Sequence, residues 1–121
     1  MVVQKNISRL LLFCAIICAA VAWPLLSRAQ SSSITIVNNS QQSIHHLYLS
    51  PVDRNEWGPD QLGGATINSG SSYTLNDVSC SGPSIKVISE DQNGCFLSYV
   101  ASCAGNSVWT INNDATPDCG N

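Results

Sequence analysis

Positive charge is scarce in this sequence beyond its first thirty residues. Lys and Arg number five in 121 residues, and Lys5, Arg9 and Arg28 all fall in the first 28. Further on, only Arg54 and Lys86 stand against Asp53, Glu56, Asp60, Asp77, Glu90, Asp91, Asp114 and Asp118, a net charge of −6 for residues 30–121. Nucleic acid and anionic membrane surfaces need clustered Lys and Arg, so both are excluded as partners. Cations, neutral ligands and basic partners stay open. Helical periodicity is missing from the same stretch, as are internal repeats. No Cys-x-x-Cys pair occurs, which argues against a zinc site and a thioredoxin-like redox site. There is no Gly-x-Ser-x-Gly nucleophile elbow, no twelve-residue EF-hand spacing, and no pair of carboxylates placed to flank a glycosidase groove.

What is present begins with the N-terminus. Lys5 and Arg9 precede the apolar run Leu10–Leu26, which is followed by Ser27-Arg28-Ala29. A basic start, an apolar middle and small residues before a cut are the marks of a secretory signal peptide. The expectation is a signal at 1–29 and a single domain at 30–121, secreted to the periplasm or the cell exterior. Cleavage after Ala22 is the alternative cut. Retention as an anchor is a third possibility, because 17 apolar residues just reach the short limit of a membrane span. The membrane is otherwise not expected to be involved.

The remaining 92 residues make one small domain that buries about 60–65% of its unfolded surface. Short stretches rich in Ile, Val, Thr and aromatics alternate with clusters of Ser, Asn, Gly and Pro, as in all-β domains. Strands are expected at 33–38, 44–50, 65–68, 72–75, 84–89, 95–100 and 107–111. About seven short strands at this spacing favour an antiparallel β-sandwich. Asn39–Gln42 and Ser69–Ser71 are read as turns joining successive strands, and Glu90–Gly94 as a hairpin turn with Gly94 in a left-handed position. The longest irregular stretch, Pro51–Gly64, is long enough to be functional or packed on itself, with Trp57 expected to plug one end of the sandwich above Leu62.

Four cysteines follow the expected signal, and they allow three pairings. If the hairpin turn centres near Gln92, Cys80 and Cys103 come within bridging reach, which leaves Cys95 with Cys119. Each closed loop would then contribute about 3.4 kcal/mol in the chain-entropy account.

The succession VNNSQQSIHHLYLSP, EWGPDQLGG, SYTL, then Cys80, SIKVISEDQNG and a second cysteine before VWTI resembles a family of small secreted bacterial all-β domains. The match lies on Trp57, Gly58, Asp60, Leu62 and Gly63, with Cys80 and Cys103 bracketing a hairpin. The resemblance implies Cys80–Cys103 as the common bridge and Cys95–Cys119 as an addition of this chain. It carries no activity and no cofactor with it. Where the family has an aromatic-Asp pair after the first cysteine, this chain has Ser81-Gly82-Pro83-Ser84.

The residues that could carry chemistry sit mainly in the long loop. Asp53, Asn55, Glu56, Trp57 and Asp60 form the candidate binding loop, and its oxygens are of the type that calcium requires. His45 and His46 are neighbours on a strand and point to opposite faces, so they cannot chelate one ion together. Tyr48, Trp57, Tyr73, Tyr99 and Trp109 could build an aromatic surface for a glycan or a protein, or serve as core and loop anchors. The leading expectation is a secreted, non-catalytic binding or structural module with a protein or glycan partner. A calcium-dependent module, a small hydrolase or effector, and a protease inhibitor are the alternatives.

Overall fold

The computed structural model describes residues 32–120, so the expected signal peptide lies outside the described residues. Six strands form: β1 (Ser32–Asn38), β2 (Ile44–Ser50), β3 (Ser72–Val78), β4 (Ser84–Asp91), β5 (Phe96–Ser102) and β6 (Asn106–Ile111). They make two three-stranded sheets, ordered β3-β1-β6 and β2-β4-β5. The described residues form an all-β sandwich.

Alternation drives this arrangement. Along β1, Ser32, Ile34, Ile36 and Asn38 are buried while Ser33, Thr35 and Val37 are half-exposed, the period of two that a strand with one covered face requires. In β4, Ile85 and Val87 point to the same interior. The two inner faces meet in one core of Ile34, Ile36, Leu47, Leu75, Ile85, Val87, Trp109 and Ile111 among others.

β1 is the centre of its sheet, antiparallel to β3 and parallel to β6, with Ile36 opposite Tyr73 on one side and Trp109 on the other. Asn39–Gln42 therefore does not join a hairpin. It turns the chain from one sheet to the other, because β2 pairs with β4. The corner is organised by the fully buried Asn38. Its Nδ2 donates to the carbonyls of Gln42 (2.7 Å) and Ile67 (3.0 Å). Its Oδ1 accepts from the Ser40 amide and hydroxyl (3.1 and 2.6 Å).

The expected strand at 65–68 is not one. Ile67 makes a single antiparallel bridge to Ile44, with both amide–carbonyl bonds formed (2.9 and 3.0 Å). The run is cut short by turns on both sides: Gly63 and Gly64, at φ 58° and 93°, lie in a turn closed by the Ala65 amide on Leu62 (3.0 Å), and the Ser71 amide closes the next on Asn68 (3.0 Å). The strand expected at 72–75 instead runs on to Val78. A register shift opposite Ser32 and Ile34 accommodates Asp77 at φ 54°.

Both disulfides form as expected, Cys80–Cys103 and Cys95–Cys119. The hairpin register differs slightly: Glu90 faces Phe96, so the turn centres on Asn93, one residue later than expected. Asp91 sets that turn by accepting the Asn93 and Cys95 amides on its side chain (2.8 and 3.1 Å), and Gly94 takes φ 77°. Cys80 still reaches Cys103 because residues 79–83 fold back at the strand end, where the Cys103 amide donates to Pro83 (2.9 Å).

Candidate binding face

β2 ends in Ser50, whose side chain is fully buried. The hydroxyl donates to the Arg54 carbonyl (2.8 Å) and accepts the Glu56 amide (3.1 Å), so it clips the first half of the 51–64 loop into a compact turn. The loop then crosses the outer face of the β2-β4-β5 sheet. Trp57 lies on that face, 5.5 Å from Tyr48 and 5.2 Å from Phe96 between ring centroids. This corrects the expectation that Trp57 plugs the end of the sandwich: it sits outside the sheet, while Leu62 enters the core. Beneath Trp57 the outward side chain of β4, Ile88, is only 3% exposed, because the loop covers it.

Asp60 fastens the far half of the loop. Its Oδ1 accepts the amides of Leu47 and Leu62 (3.0 Å each), and its Oδ2 lies 2.7 Å from Nδ1 of His46. Next to it the Gln61 amide donates to the Leu47 carbonyl (2.7 Å). The edge of β2 is thus closed by the loop, with Ile67 bonded to Ile44 beyond it. Gly58, at φ 62°, makes the bend that lets the chain pass from Trp57 to Asp60. Trp57, Gly58, Asp60, Leu62 and Gly63 are therefore one device: it carries the chain from the outer face, around the edge of β2, into the core.

His46 stands between two carboxylates, with Nε2 3.6 Å from Glu90 Oε1. The hydrogen bond to Asp60 raises its pKa above the usual 6.5, helped by both negative charges and opposed by partial burial. Burial pushes the Asp60 carboxyl up, yet the Leu62 amide, His46 and the Leu47 amide together outweigh it, and the net shift is below 3.8. His46 and Asp60 have the geometry of a base and its orienter, but the free nitrogen faces Glu90 and not a hydroxyl or thiol. His45 points away to solvent.

The other loop residues do not converge. Asp53, Asn55 and Glu56 are exposed. Glu56 pairs with Arg54 (3.3 Å), and Asn55 Oδ1 accepts from Lys86 Nζ (2.6 Å). With Asp60 committed to two amides and a histidine, the loop oxygens are spread over different partners. Among the described residues no group of three or more His, Cys, Asp or Glu side chains is arranged to hold a metal ion.

What the loop does build is a groove along β5. One hollow of about 200 Å³ is lined by Asn55, Trp57, Lys86, Ile88, Phe96, Ser98 and Asp118. A second, of about 380 Å³, is lined by Pro51, Val52, Asp53, Pro83 and Val100. The first is walled by Asn55 and Trp57 over β4 and β5, and the second by Pro51–Asp53 and residues 81–84 beside Val100. Sequence reasoning found the loop wall and Tyr48 but missed Phe96, Val100 and Asp118. Alternation within 95–100 puts Phe96 on the opposite face from Leu97, which was the available signal for it. A larger cleft of about 620 Å³ opens between the sheets near Leu49, Leu75 and Ile85, with Arg54 and Asp77 as its charged groups.

No protein-family model matches the chain, and no curated protein sequence matches it. Among solved structures it is similar to an NMR structure of a protein from Eubacterium rectale, at 17% sequence identity. That likeness covers 75% of this chain and 89% of the other, with a TM-score of 0.46.

Proposed function

We propose that this chain is an exported, non-catalytic binding module that presents the outer face of its β2-β4-β5 sheet. The observation that carries the reading is the prefolded loop: Ser50, Trp57 and Asp60 fix its backbone, while Asp53, Asn55 and Glu56 project from it beside an aromatic groove. A surface ordered before its ligand arrives spends little conformational entropy on binding. Export, to the periplasm or beyond, is supported by the two disulfides, which are compatible with a non-cytoplasmic protein, and by the basic and apolar start of the sequence. The sequence likeness to small secreted bacterial β domains points the same way.

The test is to screen the oxidised protein against a soluble glycan panel and a displayed random-peptide library. Each binder is then measured with Asn55→Ala/Glu56→Ala, a variant whose melting temperature should stay unchanged because both side chains are exposed. Binding weakened about tenfold or more supports this face. Full retention of every binder places the site elsewhere on the molecule.

A further inference from the structure

We propose that the groove receives an extended, basic peptide segment of another protein, which adds as a strand beside β5; this rests on the binding-module reading above and specifies its partner. The β2-β4-β5 sheet has two edges, and they are treated differently. The β2 edge is closed by the Asp60 carboxylate, Gln61 and Ile67. The β5 edge is closed only at its two ends, where Asp118 exchanges both backbone bonds with Phe96 (2.7 and 2.8 Å) and where the Ser107 hydroxyl donates to the Ser102 carbonyl (2.9 Å).

In an antiparallel ladder, alternate residues direct their amide and carbonyl to opposite sides. Phe96 turns its pair outward to Asp118, and Cys95 turns its carbonyl inward to Asp91 (3.0 Å). Register runs without a shift from Glu90–Phe96 to Ser84–Ser102. Ser98 and Val100 therefore also face outward, and among the described residues neither has a backbone partner on that side. Two amides and two carbonyls are left open in line with a bridge that already shows strand addition at this edge.

The side chains agree with the backbone. An added strand would lay alternate side chains on the outer face of the sheet, where the two hollows lie. Val100 and Val52 are 52% and 47% exposed at the second hollow, an apolar seat beside Pro51 and Pro83. Phe96 and Val100 are four residues apart, about 13 Å along a strand. An occupant spanning both hollows then needs bulky apolar side chains about four residues apart. Asp118 closes one end of the groove and Asp53 the other, with the cation Lys86 between them held by Asn55 (2.6 Å), on a domain of net charge −6; the acidic ends select Lys or Arg at the flanks, away from Lys86, and the net charge speeds the approach of a basic segment. Main-chain bonds give such a complex its affinity, and the two seats give it specificity.

The experiment selects binders to the oxidised protein from a random-peptide display library, and measures the recovered synthetic peptides with wild type and with Ser98→Pro and Val100→Pro. Proline at an outward-facing edge position removes the open amide and leaves the bonds to β4 in place. The expected result is a basic consensus with spaced apolar residues, weakened about tenfold or more by either proline variant. Amide exchange on wild type gives an answer even if a proline variant fails to fold: Ser98 and Val100 should exchange fast alone and slowly with peptide bound. Peptides that respond to Asn55→Ala/Glu56→Ala but protect neither amide overturn strand addition and leave the binding face standing. Binding of glycans alone overturns the peptide assignment. Dimerisation that protects Ser98 and Val100 without peptide overturns it too, making a second copy the occupant.

Discussion

Asn38 shows how much a single polar side chain can organise. It is fully buried, and its amide makes four hydrogen bonds that join the end of β1, the corner at residues 39–42 and Ile67. Removing it orphans the Ser40 amide, at about 1–3 kcal/mol, and takes one of two donors from each of the Gln42 and Ile67 carbonyls. Asn38→Ala should therefore lose about 3 kcal/mol in urea unfolding, more than truncating a half-exposed neighbour such as Val37. Asp60 has the corresponding role at the β2 edge. Asp60→Ala orphans the buried Leu47 amide and should cost about 1–3 kcal/mol, whereas Asp60→Asn keeps an acceptor oxygen for the amides and should cost less. The pH dependence has two arms. Asp60, with its pKa lowered, stabilises the fold above 3.8, and that contribution is lost as pH falls through its lowered value. His46, with its pKa raised, stabilises it below 6.5, and that part is lost as pH rises through the raised value. Melting temperature against pH should show both arms in wild type. In His46→Gln the arm above pH 6.5 should flatten.

At the scale of elements, local pattern was the reliable guide. The stretches 33–38, 44–50, 84–89 and 107–111 name real strands: β1 and β6 each bury one alternating face, whereas β4 is covered on both faces at Val87–Ser89 and β2 carries a register shift between Ile44 and His46. Partnership between strands was not legible. Nothing in the residues around 39–42 distinguishes a hairpin from a corner between sheets, since the decision rests on Asn38 finding the Ile67 carbonyl, a residue 29 positions away. Trp57 was misplaced for a similar reason: its apolar surface asks for cover, and the outer face of a sheet provides that as well as the sandwich end does. The cysteine pairing was legible, but hairpin register accounts for only half of it: the hairpin brings Cys103 level with Pro83, and the fold-back at 79–83 brings Cys80 to it. The tail is an element only through its staple. Replacing Cys95 and Cys119 by Ser should cost about 3.4 kcal/mol from the loop they close. It should also release the bridge between Asp118 and Phe96, so that the Phe96 amide becomes exchangeable and self-association rises as more of the β5 edge is uncovered.

The whole molecule is a small sandwich with a strongly uneven treatment of its surface. One edge of the β2-β4-β5 sheet is wrapped by a loop that spends its most specific residues on fastening itself. The opposite edge is left partly open, beside a groove that the same loop walls. Asp53 and Asp118 stand at the two ends of that groove, with Lys86 in the first hollow. The proposed binding role rests on this layout: His46 stands between two carboxylates, and the loop is fastened by Ser50 and Asp60 beside the groove. Amide hydrogen exchange of the oxidised protein tests this layout most directly. Slow exchange is expected at Leu47, Glu56 and Leu62, where Asp60 and Ser50 hold the loop, and at Phe96 under the tail, with fast exchange at Ser98 and Val100. Fast exchange at Glu56 and Leu62, or protection of Ser98 and Val100 in the free protein, would contradict it.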